Sequence, residues 1–289
     1  MTELATIHNW PDLERPVLVM ALEGWIDAGF SGARAMSTLV GGMPHELLAD
    51  FDTDELIDHR ARRPVMRVVN GVHTELRWPQ PTLRVGTNRT GRSVLMLSGP
   101  EPDMRWHQFT NEVVALALRL GVQLVVGLGA FPAPVPHTRA VRLAATASDP
   151  ELAGRVGFIP ATIDVPSGVQ ASLEFAFGQA GVPAVGLWAR VPHYAAAMPY
   201  PGAAAALLDE LSVLAEIEVD TKVLRAAAAS TTGQIEQLIG GSDEHAALVR
   251  QLEAQHDQEQ GLSATGFGDL PSGDELAAEL ERFLRGEPQ

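Results

Sequence analysis

Cysteine is absent from this sequence of 289 residues. Its absence excludes disulfide bonds, thiolate nucleophiles and metal sites built from cysteine. Lysine is almost absent as well, since Lys222 stands alone among 21 lysines and arginines. A Walker-type phosphate loop needs a lysine directly after its glycines, and Lys222 follows no glycine run. The sequence therefore predicts neither a P-loop nor a cysteine-based site.

Positive charge and long apolar runs are also scarce. The 36 acidic residues outnumber the 21 basic ones, which gives a formal net charge of −15. Binding of nucleic acid needs clustered cations that neutralise phosphates, so no nucleic-acid partner is predicted. The longest uncharged run near membrane-spanning length, residues 191–208, contains three prolines. Because the first residues also lack a signal peptide, we predict a cytoplasmic protein without a membrane partner.

Hydrophobic residues make up 46% of the chain, enough for one large core or two modest ones. Continuous apolar runs predict four central strands that are covered on both faces, at residues 17–22, 93–98, 123–127 and 184–189. Segments with helical periodicity alternate with them, at residues 30–40, 106–120, 167–180 and 202–215. This alternation predicts an α/β fold, with residues 1–220 as one domain.

Two further segments depart from this alternation. Asn70-Gly71 separates two β-rich runs and is typical of a two-residue hairpin turn. Residues 65–92 are therefore predicted to form an antiparallel insertion or the edge of the sheet. Beyond Asp220 the strand signals end, and helices are predicted at residues 221–239, 242–259 and 275–284. We interpret residues 221–289 as an acidic helical C-terminal extension.

Carboxylates and histidines follow the predicted strands, where open α/β sheets usually bind ligands. The candidates for catalysis are Glu23, Asp27, Glu101, His107 and His137. If the strand ends converge, these side chains can exchange protons or hold a metal. Helix capping explains the acidic residues equally well, so both interpretations stay open. The sequence predicts no cofactor and no resident metal.

The stretch Gly127-Leu128-Gly129 invites comparison with a dinucleotide-binding loop. Such a loop requires a third glycine three residues later, but position 132 is a proline. We therefore predict that no nucleotide binds here. Our interpretation is that the two glycines let the chain leave a buried strand sharply, and that the following prolines stiffen the loop.

An uncharged loop at residues 192–201 carries Tyr194, Met198 and Tyr200 before a very apolar helix. Tyrosine and methionine are enriched in protein interfaces, and charges are depleted at interface cores. These three side chains are therefore predicted to contact another subunit or a partner. The protein is predicted to be a homo-oligomer, with a trimer as one candidate. The alternative is that the loop folds back over its own domain.

Several phrases, in their order and spacing, resemble the actinobacterial branch of the PAC2 (proteasome assembly chaperone 2) family. They are ALEGWIDAG at 21–29, DELIDHRARRP at 54–64, SGPEPD at 98–103, GLGA at 127–130 and VPHY at 191–194. The resemblance covers roughly residues 15–220, and LPSGDE at 270–275 also fits it. It implies a three-layer α/β/α sandwich related to purine nucleoside phosphorylases and their hydrolase-like relatives.

The resemblance also bears on function. It implies that eukaryotic and archaeal relatives assemble or bind proteasome rings, the archaeal ones through a C-terminal hydrophobic-Tyr-x ending. Residues 285–289 lack that ending, so docking through it is not expected. The resemblance further implies that most bacterial members have no established activity. We favour a non-enzymatic assembly or interaction protein. The alternative is a small-molecule hydrolase or phosphorylase-like enzyme that uses the strand-end Glu/His cluster.

Overall fold

The computed structural model describes residues 3–264 of the chain, with side chains up to residue 258. Its strands are β1 (Ala5–Ile7), β2 (Val17–Glu23), β3 (His45–Phe51), β4 (Val65–Val69), β5 (Val72–Arg77), β6 (Thr82–Thr87), β7 (Ser93–Pro100), β8 (Leu124–Ala133), β9 (Leu143–Ala147) and β10 (Ala184–Pro192). Its α-helices are α1 (Ser31–Gly41), α2 (Thr53–Leu56), α3 (Trp106–Arg119), α4 (Pro150–Val156), α5 (Val169–Gln179), α6 (Pro201–Ala215), α7 (Lys222–Ile239) and α8 (Asp243–Ala264). Within this part of the chain, every helix is too short or too polar to cross a lipid bilayer.

A large sheet lies at the centre, with the strand order β1-β3-β6-β7-β2-β8-β10-β9. Its middle strands β7, β2, β8 and β10 are parallel and contain the four predicted central segments. Along β2, Val17 and Val19 belong to the hydrophobic core on one face, while Leu18 and Met20 belong to the core on the other face. This two-sided burial explains why these strands are continuous apolar runs rather than alternating ones.

Helices cover both faces of the sheet. On one face α1 and α6 pack together, and Leu39 and Leu208 contribute to the core between them and the strands. On the other face α3 and α5 pack together, and Phe109 and Phe177 contribute to the second core. The predicted three-layer α/β/α sandwich is thereby confirmed.

The sequence pattern does not predict β3 or β9, which are antiparallel additions to the parallel centre. Strand β3 pairs with β6, and β9 pairs with β10. The β9 sequence is Leu-Ala-Ala-Thr-Ala, and alanine has a low strand propensity. Its strand conformation therefore depends on the pairing with β10, a tertiary contact that local propensity does not encode.

Strands β4 and β5 form a separate two-stranded sheet, so this part of residues 65–92 is an insertion, whereas β6 pairs with β3 and β7 inside the large sheet. The predicted turn is confirmed, because Asn70 and Gly71 both have a positive φ, of 50° and 82°. All residues of both strands are exposed, and none belongs to either hydrophobic core. The hairpin thus projects from the sandwich with both of its faces uncovered.

Replacing Gly71 with valine is expected to weaken this hairpin, because a β-branched residue resists positive φ at a cost of about 1–2 kcal/mol. Amide hydrogen exchange across residues 65–77 should become about tenfold faster, while core amides keep their protection. Gly41→Val is the matched control, since Gly41 ends α1 without a positive φ and with open space around it. Unchanged exchange in the hairpin would contradict the assigned turn.

The C-terminal helices pack back onto the sandwich. Helix α7 places Leu224 and Ile235 in the core beside α6. Arg139 forms ion pairs with Glu253 and Asp257 of α8, at N–O distances of 3.0 and 2.9 Å. The helix predicted at residues 275–284 lies outside the described residues. The division of the chain at residue 220 stays a prediction.

Candidate functional site

A cavity of about 900 Å³ opens at the carboxyl ends of β2 and β8. Helix α5, strand β9 and the segment 159–168 surround it. Its lining includes large apolar side chains, among them Trp25, Phe131, Ile163, Val165, Phe175 and Trp188. It also includes polar side chains, among them Glu23, Asp27, Glu101, Thr146, Gln170 and Glu174. The strand ends therefore meet at a concave site, the place where open α/β sheets usually bind ligands.

The stretch Gly127-Leu128-Gly129 lies inside β8, so the interpretation that it ends the strand is wrong. Strand β8 continues to Ala133 and pairs with β10 throughout residues 125–133. It pairs with β2 only as far as Gly127. Beyond Gly127 the ladder between β8 and β2 ends, while β8 still pairs with β10. A proline, which cannot donate a backbone hydrogen bond, is therefore tolerated at position 132.

The glycines provide space for side chains of neighbouring elements. A Cβ on Gly127 would overlap Oε1 of Glu174. A Cβ on Gly186, the β10 partner of Gly127, would lie 2.7 Å from both carboxyl oxygens of Glu174. A Cβ on Gly129 would lie 2.6 Å from the ring of Trp188. These glycines thus permit close approach, and the absence of nucleotide binding here stays a prediction.

Glu174 lies in the middle of α5 and is only 6% exposed. Its Oε2 accepts a hydrogen bond from the hydroxyl of Thr146 at 3.2 Å, and its Oε1 accepts one from the amide of Gln170 at 3.4 Å. Trp188 Nε1 in turn donates to Oγ1 of Thr146 at 3.1 Å. Burial raises the pKa of Glu174 to about 7, because the charged form loses its hydration and the two hydrogen bonds offset only part of that loss.

Glu174 is not among the candidates from the sequence, although the pattern of buried positions in α5 points to it. The buried residues of α5 form one helical stripe: Val169, Gln170, Leu173, Glu174 and Phe177. The apolar members of that stripe predict which side of the helix faces the sheet, and Glu174 occupies that side. A carboxylate at an inward position is rare in proteins unless it is paired or has a function.

Two of the acidic candidates cap helices at the rim of the cavity. Oε2 of Glu101 accepts a hydrogen bond at 3.0 Å from the amide of Val169, the first residue of α5. The carboxylate of Asp27 accepts hydrogen bonds from the amides of Gly32 and Ala33 at 2.8 and 3.0 Å, in the first turn of α1. Burial raises the pKa of Asp27, and these backbone hydrogen bonds oppose the rise. The capping interpretation therefore accounts for both residues.

The remaining candidates do not join one cluster. Glu23 lies exposed at the end of β2 and lines the cavity, whereas His107 is exposed on α3 outside the lining. His137 is buried elsewhere, and its Nδ1 lies 2.9 Å from Oη of Tyr194. Burial lowers the pKa of His137, while acidic residues of α7 and α8 oppose this shift. The structure thus gathers carboxylates without a histidine, and catalysis by any of the five candidates stays a prediction.

The loop at residues 192–201 folds largely over its own domain. Tyr200 is 6% exposed, and its amide donates to the carbonyl of Gly29 at 3.0 Å. Tyr194 and Met198 are half-buried and pack against the same core. Burial within its own chain accounts for Tyr200, whereas a partner contact through this loop stays a prediction.

Among solved structures, the chain is similar to Rv2714, a Mycobacterium tuberculosis protein of unknown function. The two share 35% identity with a TM-score of 0.83, over 90% of this chain and 93% of that chain. A second M. tuberculosis structure, Rv2125, is described as a proteasome-assembly chaperone homologue. It shares 35% identity with a TM-score of 0.75, over 81% of this chain and 99% of that chain.

A PAC2 family protein from Streptomyces avermitilis has 37% identity and a TM-score of 0.73, over 81% of this chain and 99% of that chain. A comparison with curated proteins gave no match. The profile of the PAC2 family matches residues 21–239, which include the central sheet and the cavity. The chain therefore belongs to the PAC2 family.

Proposed function

We propose that this protein is a non-enzymatic assembly or interaction protein that works as a homo-oligomer. Its membership of the PAC2 family supports the proposal, as does its similarity to a proteasome-assembly chaperone homologue from M. tuberculosis. The observation that carries it is the exposed hairpin formed by β4 and β5. The proposed assembly consists of copies of this chain.

The hairpin exposes an unusual amount of apolar surface. Seven large apolar side chains on it or directly after it are 40–62% exposed: Val65, Met66, Val68, Val69, Val72, Leu76 and Trp78. A two-stranded hairpin on its own is marginally stable in water. Contiguous exposed apolar surface marks sites of interaction with other molecules. The hairpin therefore gains its missing burial from a contact outside its own subunit.

Charge favours a second copy of this chain as the partner. Residues 60–77 contain five arginines and one glutamate, whereas the whole chain has a net charge of −15. The remainder of the molecule is therefore strongly acidic. The segment 60–77, in which three arginines precede the hairpin and Arg67 and Arg77 flank Glu75 on it, is complementary in net charge to the remainder of another subunit. Such complementarity guides and orients association.

Replacing Val69 and Val72 together with glutamate is expected to dissociate the oligomer, because the contact would then bury unpaired charges. Two buried valines stabilise a contact by about 1.5–3 kcal/mol each, so the dissociation constant should rise at least about a hundredfold. Sedimentation velocity measures the change. The matched control is Val213→Glu with Val223→Glu, since these helical valines are 67% and 81% exposed and should leave the oligomer intact.

The loop contact is tested in the same experiment by Tyr194→Glu with Met198→Glu. Dissociation of this variant, with folding retained by circular dichroism, would support the predicted contact through the loop. If the hairpin variant keeps the wild-type mass, the hairpin does not carry the assembly. If the wild-type protein itself is a monomer, self-association is removed as the function of both surfaces.

A further inference from the structure

The hairpin contributes no residue to the cavity beside α5, and the size and lining of that cavity are those of a ligand site. Its volume of about 900 Å³ lies within the range of small-molecule sites in proteins. Around it Trp25, Ile163 and Phe175 are 53%, 60% and 71% exposed. Large apolar side chains at the rim of a concave site gain burial when a molecule with an apolar body enters.

The charged groups in the lining all have the same sign. Carboxylates come from Glu23, Asp27, Glu101 and Glu174, and the described residues of the lining include no lysine, arginine or histidine. Arg62 does not belong to the lining, although a Cβ on Gly24 would lie 2.6 Å from its Nη2 and 2.7 Å from Cγ of Glu101. Its guanidinium already donates to Asp103 and to the carbonyl of Glu23. An anionic ligand would find only like charges in this cavity, and burying it there would carry a large desolvation penalty.

Glu174 differs from the exposed Glu23 in being buried, and from Asp27 and Glu101 in having neither a cation nor a helix N-terminus as a hydrogen-bond partner among the described residues. Asp27 and Glu101 accept hydrogen bonds from amides at helix N-termini, where the helix dipole favours negative charge. Glu174 lies within α5 and has neutral donors only, Thr146 and Gln170. A buried carboxylate without a counter-charge is unfavourable, and a cation supplied by a ligand would offset that cost.

The hydrogen bonds around Glu174 also show that a ligand at this carboxylate must supply a hydrogen-bond donor. The indole N–H of Trp188 is only a donor, so Oγ1 of Thr146 accepts from it and directs its own proton to Glu174. The hydrogen bonds that run from Trp188 through Thr146 therefore end at the carboxylate of Glu174, which is the acceptor. Tryptophan rings near the site, Trp25 and Trp188, offer faces that attract a cation.

We propose that this cavity binds an apolar molecule carrying a protonated amine, with the ammonium group at Glu174 and the apolar body among the aromatic side chains. The carboxylate accepts the ammonium N–H bonds, and Gly127 and Gly186 leave the space in which that carboxylate stands. Trp25, Phe175 and the segment 159–168 cover the apolar body. No residue of the hairpin lines this cavity, so ligand binding and self-association can be tested independently.

Titration calorimetry of the full chain at about pH 8 tests the proposal with three eight-carbon probes, octylamine, octanol and octanoate. Octylamine should bind saturably, octanol about tenfold to a hundredfold more weakly and octanoate not at all, because a charged hydrogen-bonded pair is worth about 1.5–3 kcal/mol. Equal binding of octanoate and octylamine, or no saturable binding of octylamine, would overturn the proposal.

Glu174→Gln keeps the size of the side chain and removes its charge. Its affinity for octylamine should fall to the level of octanol, while its affinity for octanol stays that of the wild type. Glu244→Gln, on the exposed surface of α8, removes the same charge elsewhere and should change neither affinity. Ala171→Phe projects a ring into the cavity and should weaken both probes. Unchanged octylamine binding by Glu174→Gln would overturn the assignment of the ammonium site.

Discussion

Glu174→Gln is expected to make the folded protein about 3 kcal/mol more stable than the wild type at about pH 8, and equally stable below about pH 4.5. The cause is the buried carboxyl group of Glu174, whose pKa is raised from 4.5 to about 7 in the folded state. Between these two values the folded state binds more protons than the unfolded state. Wild-type stability from this group is therefore fully present below 4.5 and is lost as the pH rises through about 7.

Urea unfolding from about pH 4 to pH 8 measures the effect as the difference between the two proteins at each pH. The pKa values of His137 and Asp27 are also shifted by burial, but both proteins contain these residues, so their contributions cancel in the difference. Glu244→Gln serves as the control and should follow the wild-type curve, because its side chain is exposed. A constant difference between Glu174→Gln and the wild type across this pH range would contradict a raised pKa at this site.

Gly127→Ala is the second substitution with a large expected effect. Its Cβ would overlap Oε1 of Glu174 and lie 2.6 Å from Nε2 of Gln170, two side chains of α5 that are buried and have little room to move aside. Overpacking of this kind costs about 1–3 kcal/mol in the free energy of unfolding. The same substitution at Gly154, which has open space in α4, should be neutral or slightly stabilising.

A double-mutant cycle shows whether the clash with Glu174 is the cause. In the background of Glu174→Ala the carboxyl group is gone while the amide of Gln170 remains, so Gly127→Ala should lose part of its cost and the two substitutions should couple by at least about 1 kcal/mol. Denaturant unfolding at a fixed pH near 5 provides the four free energies. Additive costs would mean that Gly127 is constrained by something other than Glu174.

The parts of the fold that the sequence predicts are those with a strong local signal. Residues 17–22 and 184–189 are apolar on both faces because helices cover both, and a continuous run of that length is typical of a buried parallel strand. Asn70-Gly71 predicts its turn because both residues adopt positive φ at little cost. In each case the signal that predicts the structure lies within a few consecutive residues.

The site was predicted only in part, because it depends on contacts between distant segments. The local pattern at Gly127 predicts a strand end, yet the space at Gly127 is taken by Glu174 and Gln170 of α5. The rule for parallel strands placed Glu23, Glu101 and His137 at strand ends but left open which of them meet, and only Glu23 and Glu101 line the cavity. No local pattern states which helix lies over which pair of strands.

The central claim is that exposed apolar surface on the hairpin is covered by a second copy of the chain. The most direct test is the mass of the wild-type protein in solution, measured by sedimentation equilibrium over a wide range of concentration. We expect a mass that is a whole multiple of 30.9 kDa at high concentration and that falls toward 30.9 kDa on dilution. A mass of 30.9 kDa at every concentration would contradict the claim.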